Sequence, residues 1–360
     1  MTKDELYSEL VSMTPIKPYD EDFRLHLNKT LKIYQEKISK LDLNDRPSGW
    51  VGICRRIKQL CDSISRAIES EYRGKRHSAY TSIKNQLEGY KTEKTTIEGL
   101  AYSNYILNID SHTIFYRMRE VKISERRKMK NKDIFHIPLN KRGIVATQRY
   151  SVPGYPCLYL SHRVYGCWEE MGRPDFGTIM VSRFKNTKPF SLLDLRIPSL
   201  EKWNNDFINC LKFFPLVIST MFQVKNSDDN YKPEYVIPQL LTEWIISHND
   251  KDKNSNKRII GIAYTSAQKN DDFNFPDNSY DNYAIPAVYP FTTKKSNYCK
   301  VLKDIFLVSK PTYYDFEILI HGSLLDYGCM GFSKEDDINN SKFGTMESYL
   351  NRFPCTAIEE

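Results

Sequence analysis

The sequence predicts an α+β protein, with an all-α helical bundle over residues 1–95 followed by a mixed β region over 96–360. Apolar residues recur at helical spacing through the first part. Beyond residue 100, short β-branched and aromatic runs replace that pattern, and regular crossover helices do not join them. Leu27, Leu31, Tyr34, Ile38 and Leu41 repeat at 4-3-4-3 spacing, which puts them on one helix face. A second helix is expected from Gly52 to Tyr72, with Ile53, Ile57, Leu60, Ile64 and Ile68 as its stripe. The Asn44–Gly49 segment separates the two. A third helix at Ala79–Leu87 follows the Arg73-Gly74-Lys75 break, and the polar stretch Tyr90–Thr96 marks the boundary. Strands are expected at Thr113–Met118, Cys157–Leu160, Gly177–Phe184, Ile259–Tyr264 and Ile305–Val308. Helices are expected at Tyr165–Met171, Trp203–Phe222 and Pro238–Ser247, and polar loops at Asn249–Lys257 and Lys269–Asn282.

A chain of 360 residues with 40% hydrophobic content can build a sizeable core, so disorder is not expected. The net charge of +7 suits an anionic ligand, but acids are interspersed among the bases and direct nucleic-acid binding is not expected. The eight cysteines form no CxxC pair and no regular framework, which points to reduced thiols, a cytoplasmic setting and no metal site. The opening MTKDELYSEL lacks an apolar core segment, and no window is long enough to cross a bilayer, so no membrane partner is expected. HExxH, Walker and GxGxxG motifs are absent, which argues against a zincin, a P-loop NTPase and a Rossmann dehydrogenase.

The chemistry concentrates in Phe135–Glu170, flanked by Arg117 and Ser266. Arg117 follows three apolar or aromatic residues and belongs on a strand. An arginine there needs a salt bridge or an anionic ligand such as a pyrophosphate. Arg119 shares its parity, and the pattern does not choose between them. Arg149 and Tyr150 precede the Pro153-Gly154 turn, so the tyrosine either stacks on a flat ring or packs under the turn. Ser266 ends an apolar run, where serines cap backbone more often than they do chemistry. Glu169 and Glu170 end a helix and point about 100° apart, so one normally faces solvent. His136, between Phe135 and Ile137, reads as a core imidazole or a ligand contact.

Tyr116-Arg117, Arg149-Tyr150, Pro153-Gly154-Tyr155-Pro156, Leu158-Tyr159-Leu160, Cys167-Trp168-Glu169-Glu170 and Gly261–Ser266 follow one another in a recognisable order. In that order and spacing the chain resembles the RES domain family, named for its Arg, Glu and Ser, over roughly residues 113–300. It departs where Gln148 replaces the usual Gly and where polar loops lengthen the region around Ser266. The N-terminal helices are similar to the HEPN-type bundles of some long RES proteins, without their Arg-x4-6-His ribonuclease motif.

The resemblance implies a fold related to ADP-ribosyltransferases and an enzyme that cleaves NAD+ at the nicotinamide–ribose bond. Members act as toxins in toxin–antitoxin pairs or related conflict systems. Counting from Tyr159, the resemblance puts the family glutamate on Glu170 rather than Glu169. It implies that Glu170 stabilises the oxocarbenium-like state, Arg117 holds the phosphates, Tyr150 faces the nicotinamide with Arg149 in support, and Ser266 positions a ribose hydroxyl, phosphate or acceptor. Tyr159 and His136 complete the expected substrate contacts. Water or inorganic phosphate would be the acceptor, making a glycohydrolase or a phosphorylase, with NAD+ as substrate and no cofactor or metal. An antitoxin or regulatory protein and a second copy of the chain are the expected partners. ADP-ribosyl transfer to a macromolecule and a non-catalytic nucleotide-binding module are the alternatives.

Overall fold

A computed structural model of the chain describes residues 1–91, 96–100, 105–251, 258–269, 276–287, 296–313 and 338–359. Four helices come first: α1 (Lys3–Ser12), α2 (Phe23–Ser39), α3 (Trp50–Tyr72) and α4 (Arg76–Glu88). The antiparallel pair β1 (Gly89–Lys91) and β2 (Thr96–Glu98) follows, then β3 (Ile106–Ile109), β4 (Ile114–Glu120), β5 (Cys157–Ser161) and α5 (Val164–Glu170). Next come β6 (Ile179–Asn186), β7 (Phe190–Leu195), α6 (Leu200–Asn205), α7 (Phe207–Thr220), α8 (Val236–Lys251) and β8 (Ile259–Thr265). The last are β9 (Asp281–Pro286), α9 (Lys300–Ile305), β10 (Phe306–Ser309), α10 (Lys342–Leu350) and β11 (Cys355–Thr356). The chain is α+β, the expected class. Among the described residues no helix is long and apolar enough to cross a membrane.

The chain forms two compact units, each assembled from separate segments. The first comprises Met1–Asn108, Val145–Gly154 and Phe190–Ala267. Its helical core uses the stripe read from the sequence: Leu27, Leu31, Tyr34 and Ile38 of α2 and Ile57, Leu60, Ile64 and Ile68 of α3 are all at most 3% exposed. They close on α7, whose residues are buried almost all round, as a helix inside a core requires. Tyr34 donates to the Leu211 carbonyl at 2.5 Å and its ring stacks on Phe214. Strands β8, β7 and β3 lie side by side in that order, with β7 and β8 parallel.

The single helix expected over Trp203–Phe222 is two. Asp206, at φ −137° and ψ 44°, breaks it into α6 and α7. The Asp206 carboxylate accepts from Asn209 Nδ2 at 2.7 Å, the local side-chain bonding that competes with helix in a run of Asn and Asp. The expected loop Asn249–Lys257 begins inside α8, and residues 252–257 lie outside the described residues.

The second unit comprises Ile109–Ile144, Tyr155–Pro189 and Gln268–Glu360. Six strands lie in the order β11-β10-β6-β4-β5-β9, every neighbouring pair antiparallel. Strand β4 matches β6 along its length from Ile114↔Lys185 to Glu120↔Ile179, but it pairs with β5 only at Tyr116↔Ser161. The ladder between β4 and β5 is therefore open beyond one step. On one face α5 and α10 pack over Tyr116, Met118, Ile179 and Val181 through Tyr165, Cys167, Phe343 and Met346. Strand β9 takes up the last residues of the expected loop Lys269–Asn282, and residues 270–275 of that loop lie outside the described residues.

Candidate functional site

In the second unit, Arg117 and Tyr159 meet at the open step between β4 and β5, and Glu170 is linked to it through Asn282 and Ser161. Arg117 donates from Nη1 to the Tyr159 carbonyl at 2.6 Å, an oxygen that the open ladder leaves available. Its Nε atom is buried without a hydrogen-bond partner, and among the described residues it has no carboxylate partner. Burial, reinforced by the neighbouring Arg119 charge, pushes the Arg117 guanidinium down to about 10. Arg119 turns to the Asp133 carbonyl instead. Register puts both arginines on the same face of β4, and their different partners distinguish them.

Helix α5 presents the two acids and stops at once. Gly172, at φ 76°, takes the left-handed position that ends many helices. Its N–H bonds to the Glu169 carbonyl at 2.9 Å while Arg173 N–H bonds to the Trp168 carbonyl at 2.9 Å, and Pro174 prevents continuation. This turn folds the Arg173 side chain back onto Glu169, at 2.8 Å from Nη2 to Oε1. Tyr165 adds a hydroxyl bond of 2.6 Å to the same carboxylate. Glu169, 2% exposed, is thus a neutralised core acid. Glu170 remains partly exposed and accepts from Asn282 Nδ2 at 3.3 Å.

Asn282 is itself oriented. Its Oδ1 accepts from Ser161 Oγ across the β5–β9 ladder, where the two residues are register partners, so its amide hydrogens are left to face the acid. The Cys167 thiol, pushed up to about 12 by burial, feels Arg117 lowering its pKa and Glu170 raising it. Both charges thus act on the Cys167 side chain. Ser161 and Asn282 were not singled out by sequence: Ser161 ends the Leu158-Tyr159-Leu160 run, and Asn282 reads as loop until its pairing with β5 is seen.

His136 is 1% exposed and commits both ring nitrogens to backbone. Nε2 accepts from Cys299 N–H at 2.9 Å, which leaves Nδ1 as the donor to the Ile137 carbonyl at 2.8 Å. Burial pushes its imidazole down to about 4, so the ring is neutral. Among the described residues no cluster of three or more His, Cys, Asp or Glu is arranged to hold a metal ion.

Arg149, Tyr150 and Ser266 belong to the first unit. Gln148 and Ser151 exchange two backbone bonds of 3.1 Å, which makes Arg149 and Tyr150 the corners of a tight turn. Gln239 of α8 holds that turn through the Gln148 and Ser151 carbonyls at 3.2 Å. Arg149 donates to the Thr220 carbonyl at 2.9 Å, capping the negative end of α7, and lies over the Tyr235 ring. Tyr150 packs its ring 4.5 Å from Tyr264. Ser266 follows β8 directly and is fully buried.

No family model matches the chain, and no solved structure matches it. It is similar to the protein named "Putative toxin YopC" of Bacillus subtilis (strain 168), 32% identical over 306 residues. This chain is homologous to a protein named as a toxin. The match takes in 79% of this chain and 64% of that protein, so the chain spans less than two thirds of its relative's length.

Proposed function

We propose that the chain is a toxin-like NAD+-degrading enzyme of the RES type, on a core related to the ADP-ribosyltransferases, which cleaves the nicotinamide–ribose bond. The observation that carries this reading is Arg117, a guanidinium with a buried, unpartnered Nε atom and no carboxylate among the described residues. A pyrophosphate supplies the acceptor oxygens that such a group lacks. The toxin name of the homologue agrees with an enzyme that depletes a central dinucleotide.

In the proposed reaction the C1′–N bond breaks heterolytically, and its electron pair leaves with the pyridine ring as neutral nicotinamide. Positive charge develops on the ribose. The Glu170 carboxylate, held by Asn282, stabilises that charge, as carboxylates do in glycoside cleavage. Water then adds to C1′ and releases a proton, or inorganic phosphate adds in its place. Glu169 is unsuited to the role because Arg173 already neutralises it. Tyr159 takes part through its carbonyl, which anchors Arg117. The contributions proposed for Arg149, Tyr150 and Ser266 belong to the first unit and are tested by substitution there. A neutralising antitoxin and self-association are proposed as partners.

The test is nicotinamide release from NAD+ by the full chain, with and without inorganic phosphate. Release that needs phosphate identifies a phosphorylase, and release without it a glycohydrolase. A labelled macromolecule would instead identify a transferase. Glu170→Gln is expected to lower kcat at least about 100-fold with the fold intact. Intact NAD+ under every condition would sink the reading.

A further inference from the structure

Helix α5 carries Glu170 at its last position, yet its seven residues are too few for a helix to hold itself. Its N-cap, Arg163, makes no side-chain bond to the first helical amides. A residue almost two hundred positions later does so. Glu347 of α10 accepts the Val164 backbone N–H on Oε1 at 2.8 Å, and Arg163 Nε closes on Oε2 at 2.9 Å. A carboxylate there also opposes the positive end of the helix. Glu347 is only 8% exposed, so water does not substitute easily for either bond.

The same helix grips the other half of α5. Lys342 Nζ lies 4.0 Å from the Phe176 ring centre and 5.4 Å from that of Trp168. Phe343 packs against Tyr165 at 5.1 Å and Trp168 at 5.3 Å. The far end of this clamp is tied to β6, where Arg183 donates to Asn351 Oδ1 at 2.8 Å and to the Phe353 carbonyl at 2.7 Å. Gly344 lets α10 begin tightly against the preceding turn, since a Cβ there would lie 2.3 Å from the Asn339 carbonyl oxygen. A plain core contact would need only apolar bulk at position 347. A buried acid that bonds to a helix amide instead sets where that helix starts, and over seven residues it sets where the helix ends.

We propose that Glu347 is a positioning residue: it fixes the amino terminus of α5 and thereby the place of the Glu170 carboxylate. The inference rests on Glu170 being the acid of the proposed NAD+ cleavage. It is tested with Glu347→Ala and Glu347→Gln in the full chain, reading kcat and KM for nicotinamide release together with hydrogen exchange of the amides of residues 164–171. Glu347→Ala is expected to lower kcat about 30- to 100-fold, the scale for a displaced catalytic group, with KM changed by less than about two-fold. Exchange in α5 should rise. Glu347→Gln keeps an oxygen to accept the Val164 N–H and should recover most of that kcat. If Glu347→Ala does not fold, Glu347→Gln against Arg163→Met carries the comparison, because each removes the ion pair and leaves a cap acceptor.

Wild-type kcat in Glu347→Ala, or unchanged exchange in α5, overturns the proposal. When Glu347→Ala is unfolded, a loss of kcat in Glu347→Gln and Arg163→Met as large as that of Glu170→Gln overturns it as well. A wild-type protein that leaves NAD+ intact removes the catalytic reading instead, and α5 exchange then still decides whether Glu347 holds the helix.

Discussion

Glu169 and Glu170 are adjacent in sequence and opposite in circumstance. Glu169→Gln removes one counter-charge from the Arg173 guanidinium and weakens the bond from Tyr165. The expected cost is roughly 2 kcal/mol, read as a lower urea midpoint, because Arg173 keeps access to water. Glu170→Gln should leave that midpoint nearly unchanged while it removes turnover. A variant pair with the effects exchanged would reverse the assignment of the two acids. His136 gives a second expectation, in pH. Its imidazole moves from an ordinary 6.5 down to about 4 in the fold, so the unfolded chain binds the proton more readily. Stability from this group is complete above about pH 6.5 and is lost as pH falls towards 4, by roughly 3 kcal/mol across the window. Unfolding midpoints at about pH 5 and pH 7.5 measure it, and His136→Gln should narrow the gap between them.

At the scale of elements, Gly166 is what lets α5 lie close to its neighbours. A Cβ there would meet the Ser279 carbonyl oxygen at 2.7 Å and Ser161 Oγ at 3.4 Å. Gly166→Ala gains helix propensity of about 1 kcal/mol but forces backbone apart, so a net loss of roughly 1–3 kcal/mol is expected by thermal unfolding. An alanine variant at least as stable as the wild type would show that α5 can move away at no cost. Much of this architecture was legible in the chain. The stripe Leu27–Leu41 and the strands at Phe115 and Leu158 announce themselves because one face is apolar and the period is regular. Strand β9 does not, because Asp281-Asn282 opens it with polar residues, and Asn282 finds its partners only in the fold, on Ser161 and Glu170. Strand β7 is masked in the sequence by its serine and aspartate, and Asp194 is neutralised only in the fold, by Arg196 and Lys202. The choice between Arg117 and Arg119 was likewise closed to sequence, since parity is shared and the distinguishing partner, the Tyr159 carbonyl, is set by a ladder that opens.

Over the whole molecule, each unit is built from segments far apart in the chain, and this has a direct consequence for dissection. Helix α7 belongs to the same core as α2 and α3, with Tyr34 bonded to Leu211 and stacked on Phe214. A fragment of residues 96–360 would expose the apolar circumference of α7 and is expected to aggregate or bind a hydrophobic dye, whereas the full chain is not. A soluble, cooperatively unfolding fragment would show that the helices near the amino terminus are dispensable for that core. The buried Arg117 also has a meaning for the molecule's thermal endurance. A buried cation with no carboxylate partner among the described residues works against the folded state until an anion arrives. Arg117→Met should therefore stabilise the fold by on the order of 1 kcal/mol, read as a higher melting temperature, while abolishing turnover. Pyrophosphate should warm-protect the wild type and leave Arg117→Met unmoved. On this proposal the folded protein gains endurance from its anion, and heat resistance reports occupancy of Arg117.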